Sequence, residues 1–255
     1  MYKVVTGHCN TESELHRGII SYCMKNRFSL LVCDYDGTLA IGETADRQII
    51  EALVSIAETG KKLVLATGRE LPDIRRVLPE IGLFQWVVAE NGAVLFEPST
   101  GEKRILGNTP PESFFQELQK QGIGPIARGE VIAAVSSKHE GKLRKVIQDS
   151  RLPYHVILNK NSAMILPAGV DKGTGVEVVL TKLGVATSDV VAVGDGENDE
   201  DLFRVAGFRV AVANAVPALK DSADMVTAGE NGAGVIELVD FLLESASIFT
   251  DSKAD

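Results

Sequence analysis

Four times along this chain a continuous apolar run ends in a polar turn, in each case one containing glycine. Leu30-Leu31-Val32-Cys33 leads into Asp34-Tyr35-Asp36-Gly37-Thr38, and Lys62-Leu63-Val64-Leu65-Ala66 leads into Thr67-Gly68-Arg69. Trp86-Val87-Val88-Ala89 leads into Glu90-Asn91-Gly92, and Val190-Val191-Ala192-Val193 leads into Gly194-Asp195-Gly196-Glu197-Asn198-Asp199. Apolar residues that run on rather than alternate mark strands buried on both faces, and amphipathic helices separate these runs. The expected fold class is therefore α/β, with a Rossmann-like, doubly wound parallel sheet as its core. Ligands in such sheets bind beyond the carboxyl ends of the strands, where all four polar clusters lie.

The first cluster carries the clearest chemistry. Residues two apart in an extended chain project to the same side, so Asp34 and Asp36 can address one small volume, and Gly37 lets the backbone turn away. Two acids in one pocket call for a cation, and Mg²⁺ suits carboxylate, water and phosphate oxygens together. The pentapeptide alone could also be a solvated turn. A lysine at a helix start, as Lys172 is before the pattern Thr174 to Leu183 and its stop at Gly184, is by default a solvated side chain. Taken with Asp34, Asp36, Thr67, Asp195 and Asp199, it supplies the positive charge that an acidic phosphoryl-transfer site lacks.

Asp34-Tyr35-Asp36-Gly37-Thr38, Thr67-Gly68-Arg69, Lys172 and Gly194-Asp195-Gly196-Glu197-Asn198-Asp199 together resemble the four ordered motifs of the haloacid dehalogenase (HAD) superfamily. The likeness extends over about residues 29–245. The stretches Val210-Ala211-Val212-Ala213-Asn214-Ala215 and Ala223-Asp224-Met225-Val226-Thr227 are similar to its type IIB (Cof-like) branch. The resemblance implies Asp34 as the nucleophile of an aspartyl-phosphate, and Asp36 as the acid and later the base. It implies that Thr67 and Lys172 act on the phosphoryl group. Gly68 and Asn198 would be phosphate contacts, and Asp34, Asp36, Asp195 and Asp199 would surround Mg²⁺, while Arg69 and Asn91 are candidate substrate contacts by their place at strand ends facing the cleft.

These roles are chemically coherent. A carboxylate nucleophile divides ester hydrolysis into two displacements, and a second acid can protonate a departing alcohol. Charge stabilisation on the transferring group supplies most of the remaining catalysis. The chain has no Gly-x-Ser-x-Gly elbow, no cysteine in a phosphate-cradling glycine loop, and no Gly-x-Gly-x-x-Gly after the first strand. The expected function is Mg²⁺-dependent hydrolysis of a small phosphomonoester, such as a sugar phosphate or phosphoglycolate. The alternatives are a sugar phosphomutase using the same residues and a non-catalytic sensor of a phosphorylated ligand.

Spacing assigns the domains. Asp36 to Thr67 leaves room for one helix, read from Ala45 to Thr59, whereas Thr67 to Lys172 leaves a surplus after a helix at Pro72 to Ile81 and the Trp86 strand. Residues 29–92 and 168–255 are expected to form the core, with 93–167 an inserted α/β cap that resembles the type IIB cap. Within it we read a hairpin of Ala93 to Phe96 with Lys103 to Leu106, helices near Glu112 to Gln121 and Glu140 to Asp149, and a strand over Val131 to Ser136. Further strands fall near His155 to Leu158 and Ala163 to Leu166. Lys138, His139, Asn159 and Lys160 lie near element ends as candidate cap contacts, none preferred. Arg69 could grip a carboxylate or second phosphate, or form an ion pair across the domain boundary.

Composition agrees. A chain of 255 residues with 45% hydrophobic content and 24 glycines suits one core plus a small cap. A net charge of -9 argues against nucleic acid and anionic membranes as partners. No apolar stretch reaches the roughly 18 residues of a membrane span. The expectation is a cytoplasmic monomer or homodimer with a small phosphorylated metabolite as its partner. Cys33 reads as a small core residue. Residues 1–28 form an N-terminal extension with a helical pattern from Glu12 to Met24. His8, Cys9, His16 and Cys23 match no common zinc spacing. The tail from Ser245 is expected to fray.

Overall fold

The apolar runs become strands that are buried on both faces, as their composition requires. In a computed structural model, residues 28–243 are described. The N-terminal helix pattern, the His/Cys set and the tail lie outside them. The chain opens with β1 (Leu30–Asp34), the short pair β2 (Ala40–Ile41) and β3 (Thr44–Ala45), α1 (Arg47–Glu58), β4 (Lys62–Ala66), α2 (Leu71–Val77) and β5 (Trp86–Ala89). It continues with β6 (Val94–Phe96), β7 (Lys103–Ile105), α3 (Glu112–Lys120), β8 (Ala127–Arg128), β9 (Ala133–Ser136), α4 (Glu140–Ser150), β10 (Tyr154–Asn159) and β11 (Ser162–Pro167). It closes with α5 (Lys172–Leu183), β12 (Val190–Gly194), α6 (Glu200–Arg204), β13 (Phe208–Ala211), α7 (Pro217–Ser222), β14 (Met225–Val226) and α8 (Asn231–Leu243).

Among the described residues, eight strands form the main sheet in the order β14-β13-β12-β1-β4-β5-β6-β7. The six from β14 to β5 are parallel. The chain leaves β1 toward β4 and β5 in one half and runs from β12 toward β14 in the other. Right-handed crossovers travelling in opposite directions place helices on opposite faces, so the sheet is doubly wound about β1. Beyond the carboxyl end of β1 lies the crevice where the strand order reverses. One edge of the sheet is β7, exposed throughout, and the other is the two-residue β14.

The hairpin at the start of the expected cap belongs elsewhere. β6 pairs antiparallel with β5, matching Val88 to Leu95, and β7 pairs with β6, so both extend the main sheet. The reason is burial: Val94, Leu95 and Phe96 are all buried, and a run without a polar face needs cover on both sides. The second sheet begins later, with strand order β10-β11-β9-β8, antiparallel throughout. Its strands and the helices α3 and α4 enclose a separate apolar cluster that includes Phe114, Leu118, Leu143, Ile147, Val156 and Ile165.

Two backbone features tie this inserted unit to the core. Glu90 and Asn91 both adopt left-handed backbone, with φ 49° each, at the end of β5. That twist sends the buried Glu90 carboxylate toward the inserted unit, where it accepts the backbone N–H groups of Glu130 (2.9 Å), Val131 (2.8 Å) and Ile132 (3.0 Å). On the core side, α5 starts at Lys172, two residues before the expected Thr174, because Asp171 caps it. The Asp171 carboxylate accepts Thr174 N–H at 2.7 Å and the Thr174 hydroxyl accepts Asp171 N–H at 2.8 Å. Gly175 lets this helix lie against the Asn91 turn, since a Cβ there would collide with Gly92 and Val88.

Candidate active site

Neighbouring strands deliver the site. Asp34 ends β1 in register with Ala66 of β4, so Thr67 follows one residue beyond. On the other flank Cys33 pairs with Val193 of β12, and Asp195 follows Gly194 at the end of that strand. The register thus sets Asp195, Asp34 and Thr67 side by side at the carboxyl edge, on strands about 4.8 Å apart. All three are buried, as are Asn91, Lys172, Asn198 and Asp199.

Lys172 is the hub. From the first turn of α5 its ammonium donates to Asp34 Oδ1 at 2.5 Å and to Asp199 Oδ1 at 2.6 Å, and its side chain is 1% exposed. The other Asp199 oxygen accepts the backbone N–H groups of Asp195 and Gly196, each at 2.9 Å. Asp199 therefore fixes both the lysine and the loop that carries Asp195. Burial opposes the charge on Lys172, but Asp199 and Asp34 outweigh it and hold its proton well above the usual lysine range. Burial first, and the charge of Asp199 next, push the Asp34 carboxyl well above the usual carboxylate range against the pull of Lys172. Burial likewise raises Asp195, opposed chiefly by Lys160.

Asp34, Asp195 and Asp199 each offer an oxygen, and these all lie within 4.8 Å of one another. Opposite oxygens on a six-coordinate ion about 2.1 Å from each are roughly 4.2 Å apart, so the cluster needs little contraction to enclose one. The donor set, hard oxygens carrying more negative charge than Lys172 cancels, fits a divalent cation.

Asp36, expected among the acids around the metal, stands apart from that cluster. β1 ends at Asp34 and the chain turns at once, with Leu39 N–H and Ala40 N–H both returning to Tyr35 O, so the same-side rule for extended chain fails after one residue. Its carboxylate lies in the fork of Arg69, which donates through Nε (3.0 and 2.9 Å) and Nη2 (2.6 Å). Arg69 Nη1 binds Asp73 at 2.7 Å. The guanidinium of Arg69, expected as a substrate or phosphate contact, is thus engaged by two acids, both within the core and not across the domain boundary. Thr67 Oγ1 accepts the Arg69 backbone N–H at 3.1 Å, which shapes the turn through Gly68.

Asn91 and Asn198, far apart in sequence, meet: Asn198 Nδ2 donates to Asn91 Oδ1 at 2.8 Å, while Asn91 Nδ2 faces Met164 Sδ at 2.9 Å. Gly68 lies against the Asn91 amide. Gly37, at φ 90°, brings its turn so close to Asp195 that a Cβ would strike the carboxylate. Thr38 Oγ1 donates to Asp195 Oδ1 at 3.3 Å, and Asn214 Nδ2 donates to Gly37 O at 2.8 Å. Thr38 and Asn214 lay within quoted motifs, yet nothing in their local pattern marked these contacts.

Of the four candidate cap contacts, Lys160 and Asn159 reach the site. Lys160 Nζ is 3.0 Å from Asp195 Oδ2. His139 instead pairs with Gly124 O within the inserted unit at 3.2 Å. Cys33, next to Asp34, is fully buried, and burial raises its thiol far above the usual range, in keeping with a packing role.

A doubly wound sheet that gathers an acid triad around a buried lysine at its carboxyl edge defines the class of α/β proteins that can hold a divalent cation at the strand ends. The sequence pattern of the haloacid dehalogenase-like hydrolases matches residues 31–121 and 129–239, and the chain belongs to that family. Phosphoglycolate phosphatase 2 of Saccharolobus solfataricus is 34% identical over 225 residues, covering 84% of this chain and 92% of that protein. The phosphoglycolate phosphatase of Methanothermobacter thermautotrophicus is 32% identical over 218 residues, covering 82% and 96%. Among solved structures, Thermoplasma acidophilum 0175 superposes with a TM-score of 0.75 at 20% identity, over 84% of this chain and 98% of its own. A HAD subclass IIB sugar phosphatase superposes with a TM-score of 0.71 at 20% identity, over 83% and 98%. The chain is therefore an enzyme of this hydrolase family with the fold of its type IIB phosphatases. No helix among the described residues is long and apolar enough to cross a membrane.

Proposed function

We propose that this enzyme is a Mg²⁺-dependent phosphatase that hydrolyses a small phosphomonoester of the phosphoglycolate kind through an aspartyl-phosphate on Asp34. The observation that carries the reading is the ammonium of Lys172 sunk between Asp34 and Asp199 at the strand ends, which leaves Asp34 Oδ2 as the nucleophilic oxygen. A metal would be held by Asp34, Asp195 and Asp199, the last also orienting Lys172 and the Asp195 loop. When bound, it supplies positive charge that favours the ionised Asp34 and offsets charge on the phosphoryl oxygens.

Asp34 attacks phosphorus as the ester P–O bond breaks, and the departing alcohol takes its proton from Asp36. Water then attacks the aspartyl-phosphate, gives its proton back to Asp36 and releases phosphate. To serve in both steps the Asp36 carboxyl must move from the Arg69 fork toward the leaving oxygen. Lys172 and Thr67 contact the phosphoryl oxygens, with Gly68, Asn91 and Asn198 completing that wall. The inserted unit acts as the cap that covers the site and excludes water. The names of the relatives support a small acid phosphate as substrate.

Phosphate release from an aryl phosphate and from phosphoglycolate, with Mg²⁺ and with chelator, tests this in the wild type and in Asp34→Asn. Release should require both the metal and Asp34, with thermal unfolding of the variant intact. Wild-type turnover by Asp34→Asn would remove Asp34 as nucleophile.

A further inference from the structure

The inserted unit approaches the acid cluster through the turn between β10 and β11. Register pairs Asn159 with Ser162, so Lys160 and Asn161 form the tip, and Lys160 takes left-handed backbone at φ 52°. The tip is anchored on the core: Lys160 N–H donates to Glu197 Oε2 at 3.3 Å, and its ammonium is 3.0 Å from Asp195 Oδ2. Beside it, Asn159 Oδ1 is buried next to Gly196 without a hydrogen-bond donor. Behind the tip Val156, Ala163 and Ile165 sit in the apolar cluster of the inserted unit, so it is held on a packed sheet.

Lys172, Arg69 and Lys160 differ in what they are free to do. Lys172 is buried between two acids, and Arg69 keeps Asp73 on its Nη1 when Asp36 moves to its place in the reaction. Lys160 is half exposed at its side chain, reaches in from the other unit, and among the described residues its ammonium pairs with Asp195. Asp195 is also one of the acids that the phosphatase reading gives to the metal. A divalent cation there competes with the ammonium for Asp195 and repels it, and a flexible four-carbon stem lets the ammonium turn to another anion nearby.

We infer that Lys160 is a specificity-determining residue that binds the second anionic group of the substrate, a carboxylate close to the phosphate ester. The inference rests on the phosphatase reading and deepens it by naming the residue that would select short carboxylic acids carrying a phosphomonoester. The phosphoryl end has Lys172 and the metal site, whereas the carboxylate lies toward the tip and is read by a compact point charge.

The test compares the full-length wild type, Lys160→Met and Lys160→Arg in Mg²⁺. The substrates are phosphoglycolate, its counterpart without the carboxylate, 2-hydroxyethyl phosphate, and an aryl phosphate. The ratio of kcat/KM for phosphoglycolate to that for hydroxyethyl phosphate should fall about ten- to a hundredfold in Lys160→Met, the range for a lost charged hydrogen bond. The loss should lie mainly in KM, with partial recovery in Lys160→Arg. An equal fall for all three esters would mean that Lys160 serves the phosphoryl group, and would overturn the inference while leaving the phosphatase intact. A wild type that hydrolyses aryl phosphate but does not prefer the carboxylate ester would overturn it as well. If the wild type released phosphate from none of them, the phosphatase reading would fall. The thermal shift given by phosphoglycolate with Mg²⁺ would then decide: smaller in Lys160→Met upholds the contact, and equal in both proteins removes it.

Discussion

Lys172→Met removes the cation from a pair of buried acids while keeping an unbranched side chain of similar length. In the structure the ammonium bridges Asp34 Oδ1 and Asp199 Oδ1, and both acids are almost fully buried. Deleting one partner of such a buried arrangement leaves uncompensated charge and costs about 3–5 kcal/mol. At about 2–4 °C per kcal/mol for a chain of this size, melting should fall by roughly 6–20 °C. The pH dependence has a definite sign. Asp34 is already raised by burial and by Asp199, and losing Lys172 raises it further. A carboxyl whose folded value lies above its unfolded value costs stability at higher pH, where it must ionise inside the fold. The deficit therefore shrinks as pH falls through the folded value and the group takes up a proton. Thermal unfolding followed by circular dichroism, in chelator, should show a gap from wild type that is largest above about pH 8, the folded value of Asp34, and narrows as pH falls to it. A variant melting within about 2 °C of wild type at the higher pH, or a gap that widens on acidification, would refute the buried counter-ion role.

Gly37→Ala should reduce phosphate release by about tenfold or more and lower the melting temperature, since φ is 90° and the new methyl meets the Asp195 carboxylate; unchanged kinetics would contradict the turn geometry. Glu90→Gln places an amide against three N–H donors and should cost about 1.5–3 kcal/mol. Faster proteolytic cleavage around residues 124–132 and a lower melting temperature are the readouts, and no change in either would deny Glu90 its linking role. Burial opposes ionisation of Asp224, but hydrogen bonds from the Arg209 side chain and backbone outweigh it and hold the carboxyl below its usual value. That stability is present above the ordinary carboxylate value of about 3.9 and is lost as pH falls through the folded one. The melting deficit of Asp224→Asn should therefore be largest near neutrality and fade below about pH 4; a deficit independent of pH would exclude the ion pair.

The strands and the acid–lysine hub were legible because each rests on a local rule. β1, β4, β5 and β12 are continuous apolar runs, and a glycine turn after such a run fixes where Asp34, Thr67 and Asp195 emerge. Lys172 was legible through the family likeness and its helix start, although its cap at Asp171 lengthened the helix by two residues. What escaped depends on contacts that sequence spacing does not encode. Asp36 lies two residues from Asp34, but the strand stops between them and Arg69 takes the carboxylate. Val94, Leu95 and Phe96 look the same in a cap hairpin as in an edge of the main sheet, and only the pairing with β5 decides. Glu90 sat in a recognised polar turn, yet its partners are three backbone N–H groups some forty residues on, which carry no side-chain signature. Lys160 could be named as polar and near an element end. Its reach to Asp195 depends on how two separately packed units meet.

The rims of the main sheet have a consequence for how copies of this chain behave toward one another. An open strand edge presents unpaired N–H and C=O groups that can recruit the edge of another molecule and grow into aggregates. At β7 the sequence is Lys-Arg-Ile, so an incoming strand must approach two adjacent positive charges, one of them held in place by Glu130 at 2.6 Å. At the opposite rim β14 has only two residues, too few to hold a foreign strand in register. The same sheet that concentrates chemistry at its carboxyl ends thus resists self-templating along its sides, and neutralising Lys103 and Arg104 would expose a route to insoluble assemblies.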